Sequence, residues 1–134
     1  MRKSFVIVTV SIVILSFGLP GCKNTLTPGT SNIVFPASGT VSYNKYVQPF
    51  FNVDCNYSGC HDAADAAGGV DLSSYIAMES SFPIPVRAKD TTNSILIQRI
   101  ENKGPIMPPA PFSPLNQNQI QGLKAWIMQG AQNN

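Results

Sequence analysis

Residues 55–61 read Cys-Asn-Tyr-Ser-Gly-Cys-His. Two of the three cysteines and the only histidine of the chain fall within this stretch. Any fold must therefore turn the backbone here and gather three ligand-grade side chains in one place. A cysteine followed directly by histidine is the second half of a covalent haem attachment motif, in which two thiols add to the haem vinyls and the histidine takes the iron. The common form has two residues between the cysteines. Here there are four, Asn56, Tyr57, Ser58 and Gly59. The wider gap leaves open whether both thioethers form, and Gly59 can supply the turn that absorbs the extra residues.

The third cysteine belongs to a different feature. Arg2 and Lys3 precede a largely apolar run over residues 5–19. That run is short for a membrane span, which needs about 20 residues, and has the length of a signal-peptide core. It ends at Leu19-Pro20-Gly21-Cys22, which resembles a bacterial lipobox, Pro20 being the uncommon residue in it. Residues 1–22 then form a lipoprotein signal, with Cys22 lipidated. The rival reading is an ordinary cleaved signal that leaves Cys22 as a spare thiol, a liability in an oxidising compartment. Lys23 follows, with no aspartate there, which by analogy with enteric bacteria permits export to the outer membrane. Residues 23–40 are rich in Thr, Ser, Gly and Pro and read as a flexible tether. The domain proper spans 41–134.

Eleven prolines and ten glycines call for short elements and long loops. Tyr43, Tyr46, Val47, Phe50 and Phe51 form one apolar face of a helix over residues 43–52, capped by Thr40 or Ser42 and kinked or broken at Pro49. Asp71 to Ser74 can start a short helix through Met78. Thr91 or Thr92 can cap a third helix over 93–101, stopped by Lys103-Gly104-Pro105. Pro105, Pro108, Pro109, Pro111 and Pro114 make the following segment a stiff, mostly extended loop that carries Met107. Asn116, with Gln119 as capping-box partner, opens the last helix, which runs to about residue 129 and ends at Gly130. No alternating strand pattern occurs, so the class is small all-α with long loops.

With Arg2 and Lys3 in the leader, seven basic residues face seven acidic ones. Nothing supplies the clustered basic face that nucleic-acid binding needs. A haem, by contrast, needs thiols, a proximal base, a distal ligand if it only passes electrons, and an apolar box. Cys55 and Cys60 can give the thioethers and His61 the proximal nitrogen. With no second histidine, the distal ligand is a thioether of Met78, Met107 or Met128; the proline-stiffened position of Met107, far along the chain from His61, suits it well. Other readings compete: a Cys55–Cys60 disulfide, a three-ligand zinc site and a Cys/His catalytic pair. Asp54, Asp62, Asp65 and Asp71 read as a solvated face, since their spacing matches no EF-hand calcium loop.

Taken in order, the segments resemble the small c-type cytochrome domains of planctomycete and Bacteroidetes-like lipoproteins. The resemblance rests on Tyr46-Val47-Gln48-Pro49-Phe50-Phe51, on Cys55 through His61-Asp62, and on Gly69-Val70-Asp71-Leu72-Ser73-Ser74-Tyr75. It continues through Asn93-Ser94-Ile95-Leu96-Ile97-Gln98-Arg99-Ile100, Met107-Pro108-Pro109, and the closing helix with Trp126-Ile127-Met128-Gln129-Gly130-Ala131. It implies a class I cytochrome c-like fold in which the helices over 43–52 and 116–129 cross beside one covalent haem c. His61 is then the proximal and Met107 the distal iron ligand. The expected role is electron transfer rather than catalysis. Its partners would be redox proteins, and the lipid anchor would hold it on the periplasmic or cell-surface side of a bacterial membrane, the outer membrane included. The alternatives are a non-haem lipoprotein with the disulfide and a haem gas sensor or peroxidase-like protein.

Overall fold

The computed structural model describes residues 32–134. The leader, Cys22 and the first part of the tether lie outside the described residues. Within them the chain is helical, with no strands.

Ser42 accepts a hydrogen bond from the Lys45 amide and opens a π-helical turn, Tyr43–Val47, which runs directly into α1, Gln48–Asp54. Pro49 therefore neither breaks nor ends the helix. It sits in the first turn of α1, where its missing N–H costs little, and the wide turn before it accommodates its ring. Thr40 has no part in the cap.

α2 spans Tyr75–Ser80 and begins later than the sequence suggests, because Ser74 is the residue whose hydroxyl caps it, accepting from the Ala77 amide at 3.1 Å. α3 spans Ile95–Ile100 and is shorter than the periodicity suggests. Neither Thr91 nor Thr92 caps it. Asp90 instead accepts from the amides of Thr92 and Asn93 and spends those residues on a turn. The buried Ser94 hydroxyl bridges the Arg87 amide and the Asp90 carbonyl. α4, Gln117–Met128, carries the complete capping box of Asn116 and Gln119.

The core is aromatic. Tyr43 from the first turn lies 5.5 Å from Trp126 of α4 and 5.1 Å from Tyr75 of α2, so three elements meet around one cluster. The polar tips of the two partners are satisfied: Trp126 Nε1–H donates to the Gln132 carbonyl at 3.0 Å and the Tyr75 hydroxyl to the Ala131 carbonyl at 2.9 Å. Asn134 is tied to the start of the first helical turn. It accepts from the Tyr43 and Asn44 amides and the Ser42 hydroxyl.

Packing also reaches upstream of residue 41. Phe35, in the stretch whose composition reads as tether, is 1 % exposed. Its ring packs against Tyr46 and Phe50, and Asn118 of α4 grips its backbone at both N–H and C=O. Gly122 makes this docking possible: a Cβ there would lie 2.1 Å from Phe35 Cγ and 2.4 Å from its Cβ. Gly122→Ala is expected to destabilise by a net of about 1–2 kcal/mol and so lower the urea midpoint, the overpacking penalty exceeding the helix-propensity gain. A midpoint unchanged or raised would contradict this docking.

Candidate functional site

The segment between α1 and α2 is held by its own backbone. The Cys55 amide closes on Phe51, the Cys60 amide donates to Tyr57, and the His61 amide returns to the Cys55 carbonyl at 3.2 Å. This return links the two ends of the wide spacer. Gly59 sits at its turn with φ +80°, a left-handed conformation that side chains rarely adopt. The Gly59 amide donates to the Asp65 carboxylate, and the Asp65 amide in turn donates to Asp62 at 2.9 Å.

The carboxylates read as a solvated face thus have other roles. Asp65 and Asp62 fold the spacer, and Asp71 accepts from the Ser73 amide at 2.8 Å. Asp54 is buried, at 6 % exposure. Turn-forming aspartates carry no periodicity, so no pattern in the sequence separates them from solvated ones.

His61 is the best-defined member of the site. Its Nδ1 lies 3.0 Å from the Val70 carbonyl. A carbonyl only accepts, so Nδ1 carries the proton and Nε2 is left with a lone pair for a ligand. The Leu72 amide donates to the His61 carbonyl at 2.8 Å, so backbone and ring are gripped by the same neighbouring segment.

Cys55, Cys60, His61 and Met107 line one cavity of about 350 Å³. Its remaining wall is chiefly apolar, built from Val70, Leu72, Leu96, Ile100 and Leu115 with the prolines around Met107. Met107 arrives from the other side of α3, its amide donating to the Arg99 carbonyl at 3.2 Å. The other two candidate methionines, Met78 and Met128, are not on this wall. Met78 is fully buried in the core and Met128 is exposed on α4.

Both thiols on the wall are free. Burial pushes the Cys55 thiol well above the usual range, with the Asp54 carboxylate and Cys60 adding to it. Cys55 is therefore held as a neutral thiol, a poor nucleophile and a poor zinc ligand. The donor set suits a haem: two thiols, one imidazole with a free Nε2 and one thioether, all on an apolar wall. Two wall residues, Arg99 and Tyr57, were not marked as site residues by the sequence. For Arg99 a signal existed: it stands in the segment over residues 93–100 that carries part of the family resemblance.

The family described as Planctomycete cytochrome C matches residues 58–111. The matched stretch contains Cys60, His61, Arg99 and Met107, and begins inside the cysteine spacer, at Ser58. No curated protein and no solved structure was found to match the chain.

A Cβ on Gly59 would meet nothing within 4 Å, so the cost of substitution is one of backbone conformation alone. Gly59→Ala is expected to destabilise by about 1–2 kcal/mol and Gly59→Asn by less, because asparagine visits the left-handed region more readily. Equal losses in denaturant titrations of the two variants would contradict the left-handed turn.

Proposed function

We infer that the chain is a monohaem c-type cytochrome that carries electrons. The observation that carries this reading is the convergence of Cys55, Cys60, His61 and Met107 on one apolar cavity, from segments separated by the length of α2 and α3. The cytochrome c family match over 58–111 supports it.

Cys55 and Cys60 would hold the haem, each thiol adding across a vinyl group, with His61 Nε2 and Met107 sulfur as iron ligands. When bound, haem supplies a one-electron couple between ferric and ferrous iron. The residues of the chain do the rest. Val70 keeps the proton on His61 Nδ1, which fixes the ring's orientation and raises the basicity of Nε2. The proline-rich loop and the Arg99 carbonyl restrain Met107, so a weak neutral ligand is not lost to motion. The apolar wall excludes water and lowers the local dielectric, which favours the less charged ferrous state. With His61 and Met107 both placed to hold the iron, no position on it would be open to a substrate, and this favours an electron carrier over a gas sensor or peroxidase-like protein. The lipobox-like Leu19-Pro20-Gly21-Cys22 supports attachment of this domain by lipid to a bacterial membrane, on the side facing redox partners outside the cytoplasm.

Two substitutions test the ligand assignment on protein made with a cytochrome c maturation system. Met107→Ala should open the distal position, lower the midpoint potential and allow carbon monoxide to bind the ferrous form. A visible spectrum identical to wild type would refute Met107 as ligand. His61→Ala should abolish stable holoprotein, and normal haem content in that variant would remove the proximal assignment.

A further inference from the structure

We propose that Gln48 is a positioning residue of the proximal side: its side-chain amide ties α1 to the Leu72 carbonyl and so holds in register the segment whose Val70 carbonyl fixes the His61 ring. The proposal rests on the haem reading above and adds to it the residue that sets the strength of the proximal ligand.

Residues 70–72 meet His61 twice. The Val70 carbonyl takes the Nδ1 proton at 3.0 Å, and the Leu72 amide donates to the His61 carbonyl at 2.8 Å. Two side chains then hold this segment from outside. Just past α2, the buried Ser81 hydroxyl accepts from the Asp71 amide at 2.9 Å. On α1, Gln48 Nε2 donates to the Leu72 carbonyl at 3.1 Å. Leu72 is thus gripped at its amide by His61 and at its carbonyl by Gln48, while its side chain forms part of the cavity wall.

The π-helical turn aims the glutamine. The Gln48 N–H donates to the Tyr43 carbonyl, five residues back. This stacks Gln48 over Tyr43, two residues that a regular α-helix would set about 140° apart. Wide turns of this kind recur at functional positions. The stacking lets the Tyr43 hydroxyl donate to Gln48 Oε1. Burial holds that hydroxyl above its usual range, with Tyr75 adding to it, so it stays protonated and can only serve Oε1 as donor. The amide's NH2 end is therefore turned to Leu72 and to Asn52, whose Oδ1 it meets at 2.8 Å. Both ends of the amide are engaged, which fixes its orientation.

The tie has an electronic consequence. An imidazole whose N–H is held on a carbonyl is a more basic ligand. A more basic ligand favours ferric iron over ferrous. Releasing Leu72 loosens the Val70 carbonyl from Nδ1–H, weakens that donation and raises the potential.

The experiment compares wild-type, Gln48→Met and Gly122→Ala holoprotein by redox titration. Exchange of the His61 Nδ1 proton is followed by NMR in the diamagnetic ferrous form. Gln48→Met keeps the side chain's length and removes its donor. It should shift the equilibrium about threefold toward ferrous, which is about 28 mV at about 59 mV per tenfold for one electron. It should also speed exchange about tenfold. Gly122→Ala weakens the fold at the Phe35 dock and should move neither readout. A Gln48→Met potential and exchange rate equal to wild type overturn the proposal. So does a Gly122→Ala rise as large as that of Gln48→Met, since loss of stability would then be the cause. If Gln48→Met does not accumulate, Tyr43→Phe decides, because it removes only the hydroxyl that aims the amide. Faster exchange with a raised potential supports the tie, and wild-type values for both overturn it. A wild-type protein without haem would sink the haem reading itself, before any variant is compared.

Discussion

The hydrogen bond from His61 Nδ1–H to the Val70 carbonyl is the interaction on which the site depends. It decides which imidazole nitrogen is available, and it can form only if the spacer before His61 and the turn after it are both in place. Gly59, Asp65 and the Cys55 carbonyl supply the first condition. The Leu72 amide, bonded to the His61 carbonyl, supplies the second. A loop this long would otherwise sample many conformations, at about 1–2 kcal/mol of entropy for each residue fixed.

The rest of the molecule divides into a packed side and an open side. On the packed side Tyr43, Tyr75 and Trp126 interlock, and Phe35 fills the space left by Gly122. On the open side the residues of α3 and the proline-rich loop surround a void instead of one another. A small domain gains little from a core of its own and needs an added staple. A large apolar group attached at two thiols would serve as that staple, so the same cavity can account for both stability and redox chemistry.

Much of this was legible in the residues. The capping box at Asn116 and Gln119 marks α4 without ambiguity, because a side-chain cap is a local interaction. Cys55, Cys60, His61 and Met107 could be named because thiol, imidazole and thioether have few other uses in such a pattern. Other features depend on tertiary context. Pro49 signals a break, yet a π-helical turn absorbs it. Thr91 and Thr92 look like caps, but Asp90 takes the amides of Thr92 and Asn93 first. Phe35 lies in a polar stretch and is buried only because Gly122 faces it across the chain. Arg99 was visible as a helical residue, but that Glu101 nearby is bound to two lysines emerges only from the structure.

The central claim is that Cys55 and Cys60 hold a haem. Intact mass combined with a pyridine haemochrome spectrum, on protein from a strain that matures c-type cytochromes, tests it most directly. One haem added to the chain is expected, surviving denaturation, with a spectrum shifted by saturation of both vinyl groups. A shift for one vinyl alone would mean attachment through a single cysteine. A mass lower by two hydrogens, with no haem band, would show a Cys55–Cys60 disulfide in place of haem attachment.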